Sequence, residues 1–152
     1  MATSNNTGFV LQRLAFLLSK QSDQVLQEQL GIGFSQFKIL MVLGWNPSVR
    51  QRHIAEKLGQ TEAAVSRQIK LLKEAGLLTA KVNPENRREH ITTPTAKGEK
   101  LCDKALVLLN NYHAPMFEEL SERQRERLHE YLGTLLQYAS RKESNSFSHL
   151  FE

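Results

Sequence analysis

The chain has 152 residues, 40% apolar and 24% charged, a composition that supports one ordinary domain with its own core and excludes disordered and collagen-like classes. It holds no run of 18 apolar residues and a single cysteine, Cys102, which excludes a membrane-spanning helix and an internal disulfide and suits a reducing compartment. The net charge of +4 is concentrated: residues 50–100 hold eleven Lys/Arg against six Asp/Glu, the remainder nine against ten, and such a basic middle third is the footprint of a localised polyanion-binding surface.

The opening MATSNNTGF lacks a charged n-region and a small-residue cleavage site, so no secretory signal is expected and the cytoplasm is the expected location. Over residues 9–30, Val10, Leu11, Leu14, Leu17, Leu18, Val25 and Leu26 fall on one side of a helix closed by Gly31 and Gly33. Ser35 is placed to cap a second helix through Phe37, Leu40, Met41 and Leu43, which stops at Gly44-Trp45-Asn46-Pro47. The stretch SVRQ at Ser48 reads as a capping box opening a short helix over 50–58, with Ile54, Ala55 and Leu58 inward. After Gly59, Thr61 is the expected N-cap of a helix over 62–75, with Glu62 at its positive end. Val65, Ile69 and Leu72 form the buried stripe of that helix, and Gly76 ends it.

Two short extended runs, 77–82 and 89–93, flank NPENRR, whose turn-forming residues predict a hairpin with a basic tip. A long helix over 95–119 follows, interrupted late by Pro115. SERQ at Ser121 is a second capping box, opening a helix through Leu128, Leu132, Leu135, Leu136 and Ala139 before a polar tail. The predicted fold is therefore mainly α with a small β-hairpin wing. A winged helix-turn-helix core (about 34–101) is flanked by N- and C-terminal helices (8–30 and 102–140) within a single domain over 1–152. The flanking helices carry more apolar stripe than so small a core covers, which predicts a dimerisation region.

A helix, a tight turn at Gly59 and a second capped helix follow helix-turn-helix grammar. Such a second helix needs an apolar back and short polar or cationic groups on its outer face, where base edges in the major groove are read. Thr61, Ser66, Arg67 and Lys70 lie away from the apolar stripe; Ser66 and Arg67 are the candidates for base edges, and Lys70 for phosphate. Gln60, Arg50 and Arg52 are placed for backbone contacts that set register. Arg87 and Arg88 at the hairpin tip are the candidates for an adjacent minor groove, whose negative potential attracts arginine.

The segments SQFKIL, IAEKLGQTEAAVSRQIKLLKEAGLL and NRREHITTPTAKGEKL resemble the multiple-antibiotic-resistance regulator (MarR) family of bacterial winged-helix proteins. Ser66-Arg67, Gly76-Leu77-Leu78 and Thr95-x-x-Gly98 carry the resemblance together. It implies a homodimer held by the terminal helices that binds pseudo-palindromic double-stranded DNA, often to repress transcription until a small aromatic or phenolic effector releases it. It also implies an effector pocket between the first helices and the DNA-binding lobe, for which Phe16, Phe37, Met41, Trp45 and His53 are the candidates. The family's wing usually carries Asp-x-Arg; here Asn86-Arg87-Arg88 stands in its place, so Arg88 aligns with the groove-entering arginine without the ion pair that steadies it.

Other chemistries are weaker matches. Cys102 is the candidate for a thiol-based redox sensor, against the plainer reading of a small packing residue. His53, His90, His113, His129 and His149 show no metal-ligand spacing, and no glycine-rich phosphate loop or His-carboxylate-Ser set occurs. No cofactor, metal or enzymatic activity is expected. The alternative function of another class is a winged-helix interaction module whose basic face binds an acidic partner protein.

Overall fold

The computed structural model describes residues 6–87 and 90–148, without the side chains of His90 and 142–148. In chain order the elements are α1 (Thr7–Leu30), α2 (Phe34–Trp45), α3 (Gln51–Leu58), α4 (Glu62–Glu74), β1 (Leu78–Val82), β2 (His90–Pro94), α5 (Ala96–Glu118) and α6 (Glu122–Ser148). The chain divides into two compact units, Met1–Asn110 and Asn111–Glu152.

The core of the first unit draws on every helix in it. Leu26 of α1, Ile39, Leu40 and Leu43 of α2, Ile54 of α3 and Val65 and Leu72 of α4 are all essentially inaccessible to solvent, and Ala105 and Leu109 of α5 join them. In α1 the burial is confined to the C-terminal half, at Ser22, Val25 and Leu26. Its N-terminal half leaves Phe9, Val10, Leu11, Leu14 and Phe16 exposed. The two strands pair antiparallel from Leu78 opposite Pro94 to Val82 opposite His90.

Local chemistry departs from the sequence-based expectation at several helix ends. Ser35 does not cap α2; Gly33 holds that position. Its N–H donates to Gln36 Oε1 (3.0 Å), and the next N–H, of Phe34, donates to Asp23 Oδ1 of α1 at 2.8 Å. With those donors satisfied, the Ser35 hydroxyl is available to another element. The Ser48 capping box does not form either, because α3 starts later, with Arg50 as N-cap. The Asn46-Pro47 turn runs on, Val49 N–H donating to Asn46 O at 3.2 Å. Val49, just before the cap, packs against the core that holds Ile54, in the first turn of α3. Those two positions are the ones a hydrophobic staple joins.

At the end of α4, Ala75 is the cap and Gly76, with φ +71°, follows it. Leu77 N–H to Leu72 O (2.9 Å) and Gly76 N–H to Lys73 O (3.0 Å) complete a Schellman motif.

In the second unit, the Ser121 capping box is formed as expected. Ser121 N–H donates to Gln124 Oε1 (2.8 Å) and Gln124 N–H to Ser121 Oγ (3.3 Å). Arg125 Nη1 donates to Leu120 O (2.9 Å) and to Phe117 O (3.4 Å), which also accepts from Leu120 N–H (3.1 Å), and so ties the start of α6 to the end of α5. α5 continues through Pro115 to Glu118. α6 runs on to Ser148 rather than yielding to a polar tail near 140, because no Gly or Pro follows Gly133 to stop it. Tyr131, Leu135, Leu136 and Tyr138 stand exposed along it.

Candidate nucleic-acid interface

The helix-turn-helix is built around a left-handed glycine. Gly59 has φ +62°, a conformation that costs a residue with a Cβ about 1–2 kcal/mol. It lets Gln60 N–H reach back to Ala55 O at 2.9 Å and closes α3. Gln60 itself is tied to α2, its Nε2 lying 2.7 Å and its Oε1 3.1 Å from Ser35 Oγ. The structure thus turns the Gln60 carboxamide toward α2, where it braces the turn. Thr61 caps α4, its hydroxyl accepting from Ala64 N–H at 3.1 Å.

Burying Val65, Ile69 and Leu72 leaves Thr61, Ser66, Arg67 and Lys70 on the exposed side of α4. Among the described residues Arg67 makes no ion pair, and the helix itself offers it none. The positions four away are Ala63 and Leu71, and those three away are Ala64 and Lys70. Lys70 lies 3.9 Å from Glu74, with both side chains more than half exposed; a pair of that kind contributes little to stability and yields readily to another anion. Arg50 is exposed at the start of α3, and Arg52 pairs with Glu56 at 3.1 Å. Arg87 is exposed in the hairpin tip, where Asn83 Oδ1 accepts from Glu85 N–H (3.0 Å) to shape the turn. Arg88 lies outside the described residues.

A clasp between α4 and α5 was not foreseen as such. Three successive carbonyls at the exit of α4 are each taken by the start of α5. Ala75 O accepts from Lys97 Nζ (3.0 Å), Gly76 O from Thr95 Oγ1 (2.7 Å) and Leu77 O from Thr95 N–H (3.0 Å). Thr95 Oγ1 in turn accepts from Gly98 N–H at 3.1 Å. At Gly98 a Cβ would collide with the Leu77 carbonyl, so only glycine permits this approach. The Thr95-x-x-Gly98 spacing was its visible signal in the sequence; the Asp23–Phe34 and Ser35–Gln60 bonds had none.

The five effector-pocket candidates are dispersed. Phe37 is core, while Phe16, Trp45 and His53 are exposed. Met41 and Trp45 line a recess of about 190 Å³ with Leu40, Cys102 and Asp103. The Cys102 thiol is pushed above its ordinary pKa, first by burial and then by the Asp103 carboxylate. Among the described residues no group of His, Cys, Asp and Glu is arranged to hold a metal, and no helix is long and apolar enough to cross a membrane.

Comparison with known proteins bears on the same segment. The MarR family model matches residues 30–89, from the end of α1 to the hairpin tip. A curated relative, the HTH-type transcriptional regulator BilQ of Clostridium symbiosum (strain WAL-14163), is 27% identical over 105 residues, 69% of this chain and 73% of its own. Over that segment the chain is similar to MarR-family regulators. Its fold is that of solved MarR structures. The Mycobacterium tuberculosis MarR-family protein Rv2887 superposes with a TM-score of 0.76 in its salicylic acid complex, at 22% identity over 89% of this chain and 99% of that one. In its DNA complex the same protein gives 0.69, at 23% identity over 84% and 95%. The MarR-matching segment holds the helix-turn-helix and most of the wing, and the Thr95–Gly98 clasp lies just beyond it.

Proposed function

We propose that this chain is a MarR-family regulator, a cytoplasmic homodimer that binds pseudo-palindromic DNA through α4 and the wing, and acts by binding, without catalysis. The observation that carries the reading is Arg67: a cation on the exposed face of a capped helix, with no ion-pair partner among the described residues. Ser66 and Arg67 read base edges, Thr61 and Lys70 border them, and Arg50 and Arg87 reach the backbone or the adjacent groove; Arg88, outside the described residues, is assigned to the same groove. Gln60 supports the surface by bracing the turn. Two recognition helices would then stand ~34 Å apart, one turn of B-DNA.

Repression relieved by a small-molecule effector is part of the proposal. It is supported by the salicylic acid complex of the similar Rv2887 and by the recess that Met41 and Trp45 line. The exposed apolar residues of α1 and α6 are the proposed dimer surface.

The test is a mobility-shift titration with the DNA upstream of the protein's own coding region. Arg67→Ala should weaken binding by about 1–3 kcal/mol and relax base preference. An unchanged footprint for that variant would remove α4 from the interface. Absence of any shift by the native protein at low salt would favour an acidic protein partner instead.

A further inference from the structure

A second cavity lies on the first unit where the α4 exit meets the start of α5. It has a volume of about 470 Å³ and is lined by Leu77, Ala96, Lys97, Lys100, Leu101 and Lys104. That volume falls within the ~300–1,000 Å³ of small-molecule sites. The floor is apolar, formed by Leu77, Leu101, the Ala96 methyl and the lysine stems. The rim is cationic.

The charge layout of α5 is unusual for a solvated helix. Lys100 and Lys104 stand four residues apart, as do Glu99 and Asp103. Like charges at that spacing destabilise a helix. Exchanging the charges at 103 and 104 would have removed both clashes. Instead the carboxylates line the Met41–Trp45 recess and the lysines line this cavity. Lys104 has only Lys100, Leu101, Val107 and Leu108 at helical neighbour spacing. Among the described residues neither Lys100 nor Lys104 forms an ion pair.

We propose that this groove is a binding site for an anionic amphiphile, a small molecule with a carboxylate head on an apolar body. The head lies between the Lys100 and Lys104 ammonium groups, and the body lies on Leu77 and Leu101. A nucleic-acid phosphate would match the lysines but has no use for the apolar floor, so a small molecule is the favoured occupant. Lys97 closes the groove at the α4 end, where its ammonium already donates to Ala75 O.

Isothermal titration calorimetry of the full chain with octanoate, acetate and octylamine tests this without DNA. Octanoate should bind, whereas acetate, which lacks the body, and octylamine, which reverses the charge, should not. The double variant Lys100→Gln/Lys104→Gln, at exposed positions and with an unchanged circular dichroism spectrum, should bind octanoate about tenfold or more weakly, since neither glutamine offers the carboxylate a charge-assisted hydrogen bond. Absence of heat with millimolar octanoate, equal binding of octylamine, or undiminished affinity of the double variant would each overturn the site.

A mobility-shift arm separates the other source of anions. The ligand-free double variant should keep native DNA affinity and salt dependence. A salt slope reduced by about two, one for each phosphate that a lysine had neutralised, would assign the lysines to the DNA backbone and overturn the proposal. The calorimetry contains no DNA, so its failure would leave the DNA-binding reading untouched, and the reverse also holds.

Discussion

At Arg67 the neighbours matter as much as the residue. Ala63, Ala64 and Leu71 keep every intrahelical carboxylate out of reach, so the guanidinium is not committed within its own helix. Cys102 is the opposite case, a reactive group held quiet. Its burial disfavours the thiolate, and the neighbouring Asp103 adds like-charge repulsion. Because the pKa is raised, the nucleophilic form is scarcer near neutral pH than in a free thiol and increases only as pH rises through the shifted value. Iodoacetamide should therefore modify Cys102 more slowly than free cysteine near neutral pH. Asp103→Asn should speed the reaction only partly, since burial, the larger cause, remains. Alkylation of the native protein as fast as free cysteine would revive the redox-sensor reading.

Among the elements, α4 is held at both ends by different means. Thr61 caps its start within the helix, while its exit is held from outside by Thr95 and Lys97. The first device was legible, because a capping threonine before an apolar stripe is a local pattern. The outer face of α4 was legible for the same reason, as what the stripe at Val65, Ile69 and Leu72 leaves over. The Asp23–Phe34 bond and the Ser35–Gln60 bond were not, since each joins elements whose separation no periodicity encodes. Ser35 shows how this misleads: a serine at a helix start looks like a cap until a carboxylate from another helix takes the work. The five effector-pocket candidates were joined by an expected junction between the first helices and the DNA-binding lobe, which says nothing about the direction of each side chain; hence Phe37 is in the core and Trp45 is 77% exposed. Gly98 offers a direct test of the clasp. Gly98→Ala should destabilise the fold by about 1–3 kcal/mol in urea denaturation, because the added methyl meets the Leu77 backbone rather than a flexible side chain. An unchanged midpoint would mean that α5 is not seated this closely.

For the whole molecule, the apolar surface left in solvent is the main constraint. Leu135 and Leu136 of α6 are 52% and 68% exposed, Phe9 and Val10 of α1 65% and 62%. Stripes of this kind are ordinarily covered by a partner, and in a closed dimer each chain covers the other's. Sedimentation velocity should give twice the mass of one chain. Leu135→Glu/Leu136→Glu should return it to a monomer, since burying unpaired carboxylates is strongly unfavourable. A dimer that survives this change would place the interface elsewhere. DNA affinity of the dimer should fall linearly on logarithmic axes with salt, as the basic middle of the chain displaces counterions from phosphate.

The clasp at the α4 exit has one more implication. Leu77 and Thr95 are joined backbone to backbone at 3.0 Å, and everything between them, residues 78–94, is the hairpin. The base of the hairpin is fixed by that bond, by Leu78 in the core and by β2 against α2, so only its outer end is a loop, whose length alters closure entropy slowly. The composition of the tip can therefore change without disturbing how α4 is anchored to α5. Asn86 lies at that tip, a position where such a cassette tolerates change while the scaffold stays constant.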